Sequence, residues 1–226
     1  MNRKVLLSIT VSAIIFVTTF VFNQTQSFYK VFAQGKKYFE KREYQQALPL
    51  LISAVNIKPE DKNSSIYLLW TYANLGAKKE ASELAKIIVK KYPEDPLVAE
   101  QIADAYYKII DYKIAEKFYR KVLEKKDTLV IKKKLAEVLM WQEKYDDGIS
   151  IIKELLKADP NDLNLTELLA DSYSWENDYS KAIELYNELL NKNFRPEYIM
   201  LKLADTLRHS GKNEEAIKLY RKYLER

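Results

Sequence analysis

Leu135-Ala136-Glu137-Val138-Leu139-Met140-Trp141 leads on to Lys144-Tyr145-Asp146-Asp147-Gly148-Ile149, and Leu169-Ala170-Asp171-Ser172-Tyr173-Ser174-Trp175 leads on to Asp178-Tyr179-Ser180-Lys181-Ala182-Ile183. At a separation of 34 residues the two stretches agree column by column in a small residue, a carboxylate, a large residue, a tryptophan, a tyrosine and a second small residue. A period of that length in a chain poor in turn residues points to a stacked helical hairpin. Followed in both directions, it sets segments beginning near Phe28, Lys62, Pro96, Leu129, Leu163 and Glu197, spaced by 34, 34, 33, 34 and 34 residues. The one slip falls at Lys126-Asp127-Thr128, where the proline expected at the end of the third segment is missing.

The columns have a packing logic. Gly35, Ala103, Ala136, Ala170 and Ala204 share the eighth position, with Leu69 the exception, and Ala47, Ala81, Ala115, Gly148, Ala182 and Ala216 share the twentieth. Two helices approach closely only where the crossing side chains are small, so these columns mark the contact within each hairpin. Large residues fill the eleventh column (Tyr38, Tyr72, Tyr106, Leu139, Tyr173, Leu207) and most of the twenty-fourth (Leu51, Tyr119, Ile152, Tyr186, Tyr220). Pro59, Pro93 and Pro160 close repeats, and Gly76 and Gly211 turn between helices. Of the 17 tyrosines, Tyr44, Tyr112, Tyr145 and Tyr179 open the second helix of their repeats, and with the other column tyrosines they read as framework.

The series Gly35, Tyr38, Ala47, Leu51, Ala54, Pro59, and again Leu203-Ala204, Leu207, Gly211, Ala216, Tyr220, resembles the tetratricopeptide repeat (TPR) family over residues 28–226. That resemblance implies an all-α right-handed superhelical solenoid of six hairpins, 28–61, 62–95, 96–128, 129–162, 163–196 and 197–226, with a concave groove. In the family, positions 2, 5, 9, 12 and 13 of the first helix face the groove. Carried over, they give Trp70 at position 9, Trp141 and Trp175 at 13, Phe39 and Tyr107 at 12, and Tyr29 and Tyr198 at 2. Trp70 is expected to point most squarely inward. Asp104, Glu137, Asp171 and Asp205 follow at position 9 as a ladder of carboxylates, with Glu100 and Glu167 at position 5. The lysines and asparagines that clamp a C-terminal carboxylate in some relatives are not matched, since Lys36, Asn74 and Lys133 are scattered among acids. An acidic, aromatic groove suits a basic or aromatic peptide segment of a partner protein. It also suits a polysaccharide, and the two quoted stretches look like repeats of exopolysaccharide-secretion proteins.

Composition narrows the function classes. Lys and Arg number 37 against 32 Asp and Glu, and no basic stripe with interleaved aromatics appears, so nucleic acid is not an expected partner. The absence of cysteine removes disulfides, thiolate metal sites and a cysteine nucleophile. There is no phosphate-cradling glycine loop, and the single histidine, His209, reads as a surface residue. An enzyme, a metal or a cofactor is not expected.

Residues 5–22 are uncharged and largely apolar behind Arg3 and Lys4. Eighteen helical residues span about 27 Å, close to the hydrocarbon thickness. The expectation is a transmembrane anchor after a basic tail of residues 1–4 and before a linker of 23–27. The repeats would then lie on the extracytoplasmic side of an inner membrane. Thr25-Gln26-Ser27 is a poor cleavage site for the alternative, a signal peptide. The leading function is a membrane-tethered scaffold assembling protein complexes in the cell envelope. The alternatives are a carbohydrate-binding module of polysaccharide export and a structural subunit with an empty groove. Tyr220, Tyr223 and Leu224, on the last helix, would leave an apolar end for self-association.

Overall fold

The computed structural model describes residues 24–225, and among them there are helices and turns but no strand. Residues 24–40 are helical (α1). They are followed by α2 (Tyr44–Ile57), α3 (Lys62–Asn74), α4 (Lys78–Lys91) and α5 (Pro96–Lys108). The chain continues through α6 (Tyr112–Lys125), α7 (Leu129–Trp141), α8 (Tyr145–Ala158), α9 (Leu163–Trp175), α10 (Tyr179–Asn191), α11 (Pro196–His209) and α12 (Asn213–Leu224). Two compact units result, one ending at Asp111 and one beginning at Tyr112. Unit 1 therefore closes with α5 and unit 2 opens with α6. Within each unit, connections of a few residues make consecutive helices antiparallel neighbours.

Two kinds of turn alternate, and each has a local cause. In the second to fifth repeats the first helix is started by a side-chain cap, whereas α11 has none. Asp61 accepts from the Ser64 amide, Asp95 from Leu97 and Val98, Thr128 from Ile131, and Asp162 from Asn164 and Leu165. Each cap satisfies donors that no earlier turn can reach. Thr128 does this where the third repeat lacks its proline. The turn inside each hairpin instead places one residue in the left-handed region: Arg42, Gly76, Ile110, Glu143, Asn177 and Gly211. Gly76 and Gly211 do so at φ 71° and 82° without steric cost, whereas Ile110, β-branched and exposed, is strained at φ 62°.

The small columns lie where helices cross. Ala47, Ala81, Ala115, Ala182 and Ala216 are buried, as are Ala103, Ala136, Ala170 and Ala204. At Gly148 even a Cβ would run into the Cε of Met140. Against these crossings pack Leu51 in unit 1 and Tyr119, Ile152, Tyr186 and Leu189 in unit 2, all buried. Each large side chain so buried contributes about 1.5–3 kcal/mol.

One expectation is corrected. Among the described residues no helix is long and apolar enough to cross a membrane, so the repeats are not given a place on either side of one. Residues 5–22, which prompted the expected anchor, lie outside the described residues.

Candidate functional site

Each unit carries an aromatic concave site, and the two are built differently. In unit 1, α1, α3 and the start of α2 bring Phe39, Tyr44, Ile66, Tyr67, Trp70 and Asn74 around an open cavity of about 500 Å³, with Gln101 reaching in from α5. Phe39 meets Tyr44 and Tyr67 edge to face at centroid distances of 5.4 and 5.1 Å. Trp70 is half-buried and its Nε1–H donates to Gln101 Oε1 at 2.7 Å. The residue expected to point most squarely into a groove is therefore held by its own chain. Asp104 and Tyr107 stand half-buried on α5 and line neither cavity.

In unit 2, α9, α11 and the turn into α10 surround an open cavity of about 700 Å³. Its floor is ionic. The Lys202 ammonium donates to Asp171 at 2.6 and 2.8 Å and to Glu167 at 2.9 Å, and Arg195 reaches Glu167 at 3.2 Å. Tyr186 O–H donates to Asp171 at 2.6 Å. Burial works to lower the Lys202 pKa, but its hydrogen bonds and charge attraction to Asp171 and Glu167 outweigh it and hold the group above its usual range. The Tyr186 hydroxyl is pushed far up by burial first and by the Asp171 charge second. Ser174 and Thr206 share a hydrogen bond of 3.1 Å beside this network.

The rim is aromatic. Trp141 and Trp175 are 53% and 42% exposed, with ring centroids 5.8 Å apart. Tyr112 stacks on Trp141 at 6.0 Å and 14°. Tyr179 stacks on His209 at 6.4 Å and 16°. Tyr198 is exposed and carries Lys202 Nζ 4.5 Å from its ring centroid. Exposed indoles lying side by side leave apolar area uncovered.

Several readings from sequence change at this point. The carboxylate ladder is not a row of free acids. Asp171 is neutralised by Lys202, and Asp205 accepts from Tyr220 O–H at 2.6 Å with Arg208 3.7 Å away. Tyr112 and Tyr179, taken as framework, stack on groove residues of the following repeat. His209 is exposed, as expected, yet lines the unit 2 cavity. Lys202, Arg208 and Gln101 are not marked by the sequence because their columns repeat no single residue type. Of the terminal group, Tyr220 is half-buried, while Tyr223 and Leu224 are 37% and 79% exposed. Among the described residues no cluster of His, Cys, Asp or Glu could hold a metal ion.

Residues 139–203 match a family model described as tetratricopeptide repeat, and residues 198–226 match a second of the same description. No curated protein matches in sequence. Among solved structures, a tetratricopeptide repeat protein of Parabacteroides merdae is similar with a TM-score of 0.75 at 16% identity, over 88% of this chain and 79% of that one. PilF of Pseudomonas aeruginosa is similar at 0.61 and 16%, over 87% and 90% of the two chains. MamA of Desulfovibrio magneticus is similar at 0.57 and 18%, over 71% and 94%. At these identities the likeness is one of fold.

Proposed function

This chain is a tetratricopeptide repeat protein, and from that premise we propose that it is a non-enzymatic scaffold whose second unit holds a segment of a partner protein. The observation that carries the reading is the exposed Trp141–Trp175 pair, extended by Tyr112, on the rim of a cavity with an ionic floor. A buried indole contributes most to an interface when it is fixed before binding, because little side-chain entropy is then lost. Here the rings brace one another, and α9, which carries Trp175, is tied to α11 by Lys202 and its carboxylates. Unit 1 offers a smaller, mostly apolar hollow whose tryptophan is already hydrogen-bonded, so it is assigned a packing role.

A second reading keeps the same residues. Stacked indoles also receive the flat faces of sugar rings, and the polar groups beside them (Asp205, Arg208, Asn177) would meet hydroxyls. The ionic pairs of the floor favour the peptide. Their charges are matched within the protein, which suits a mixed polar and apolar segment better than a ligand that needs many free acceptors.

Affinity capture from native extract separates these readings. Wild type is compared with Trp141→Ala/Trp175→Ala, the fold being checked by circular dichroism. A protein recovered with wild type and lost with the variant is the expected result. Recovery of the same proteins by both would refute the groove as the protein-binding surface.

A further inference from the structure

Resting on the groove reading, the structure also indicates which chemical group the partner brings. In unit 2 three carboxylates share the ninth column: Glu137, Asp171 and Asp205. Two kinds of internal partner serve this column. One is the tyrosine fifteen residues later, which donates from Tyr186 to Asp171 and from Tyr220 to Asp205. The other is the sixth residue of the next repeat, through which Lys202 reaches Asp171; in unit 1 the same geometry brings Gln101 to Trp70. At Glu137 both partner positions are hydrocarbon, Ile152 in place of the tyrosine and Leu168 in place of the lysine. The carboxylate is half-buried all the same, and among the described residues it makes no side-chain hydrogen bond or ion pair. Lys133 and Lys134, one turn back on α7, attract its charge but burial prevails and its pKa is raised.

Trp141 lies four residues after Glu137 on the same helix, so the two side chains share a face. Lysines already lie over the rings of Tyr173 and Tyr198. No cation lies over Trp141 or Trp175 among the described residues, although indole is the best acceptor of one. We infer that Glu137, Trp141 and Trp175 form a subsite for a lysine or arginine side chain of the bound peptide. The alkyl stem lies along the exposed indoles and the cationic head meets Glu137, the column carboxylate of unit 2 that is unpaired among the described residues. A group with both parts satisfies the half-buried charge and the apolar area together, which a neutral aromatic or a hydroxylated ligand cannot do.

The test uses the full chain and two fluorescein-labelled heptapeptides. One has a central tyrosine flanked by arginines; the other has citrulline in place of each arginine. Fluorescence anisotropy is expected to show wild type binding the arginine peptide about tenfold more tightly than the citrulline peptide, as a paired, desolvated cation implies. Glu137→Gln should erase that preference. Glu143→Gln, which removes an equal charge from the exposed turn after α7, should keep it. Trp141→Ala/Trp175→Ala should weaken both peptides alike. If Glu137→Gln retains the preference, or wild type has none, the cation subsite is refuted. Loss of binding in the tryptophan variant alone would then still leave the groove reading standing, whereas binding indifferent to both variants would overturn the two together. Preference for a glucosamine trisaccharide over the arginine peptide, lost in Glu137→Gln, would reassign the subsite to sugars.

Discussion

The two units use tryptophan in opposite ways. In unit 1 the indole of Trp70 is half-buried, its N–H is spent on Gln101, and the rings around it meet edge to face. In unit 2 the indoles of Trp141 and Trp175 are about half exposed and brace each other above a floor whose charges pair among themselves. The contrast teaches that a groove position does not make an aromatic residue a ligand contact. What separates the two cases is whether the chain supplies a partner of its own. Column nine shows the same rule among carboxylates, with Asp171 and Asp205 supplied and Glu137 not.

The comparison can be broken most forcefully at the floor of unit 2. Lys202→Met leaves the half-buried Asp171 without a cation and the buried Glu167 with Arg195 alone, and should destabilise the protein by about 3 kcal/mol, read from urea unfolding. No ion pair in the unit 1 cavity has this role, so a loss that small surface pairs could produce, below about 1 kcal/mol, would show that the floor is not a structural element. Tyr186→Phe takes one donor from the same carboxylate and should cost about 1–2 kcal/mol. Tyr220→Phe, whose Asp205 partner is exposed, should cost much less in the same assay. If the two substitutions cost the same, burial is not what distinguishes the pairs.

Backbone strain offers a test at the last turn of unit 1. Ile110 occupies the left-handed region, which Gly adopts freely, so Ile110→Gly should raise the melting temperature by an amount equivalent to about 1 kcal/mol. A fall would mean that Ile110 contributes contacts worth more than its strain. The smallest effect is expected in acid. Burial pushes Glu116 up, but hydrogen bonds from Lys144, Arg120 and Gln142 outweigh it and hold its carboxyl below the usual range. A depressed folded pKa stabilises above the unfolded value, and that contribution is lost as pH falls through the folded one. Stability lost below about pH 4.3 should therefore be shallower in Glu116→Gln than in wild type.

The sequence made the all-helical repeat legible because its signals recur. Six appearances of a small residue at the twentieth column leave little room for another reading, and each is where helices cross. The groove was legible in part. Trp141 and Trp175, expected on the groove, are exposed and line the unit 2 cavity, whereas Trp70, expected to point most squarely inward, is half-buried. Its tether, Gln101, stands in a column that elsewhere holds Ala33, Tyr67, Lys134, Leu168 and Lys202, so no recurring residue type announces it. Lys202 escaped for the same reason, and with it the neutralisation of Asp171. The stacking of Tyr112 on Trp141 joins the opening of one second helix to the end of the next first helix. It needs knowledge of how successive repeats lie, which a column-by-column reading does not contain.

The most direct measurement is calorimetric affinity for the partner segment recovered by capture, compared between Trp141→Ala/Trp175→Ala and Trp70→Ala. Two truncated anchors of about 2 kcal/mol or more each should weaken binding roughly a hundredfold or beyond, while Trp70→Ala should stay within about threefold. An equal loss in both variants, or a larger one at Trp70, would contradict the assignment of recognition to unit 2.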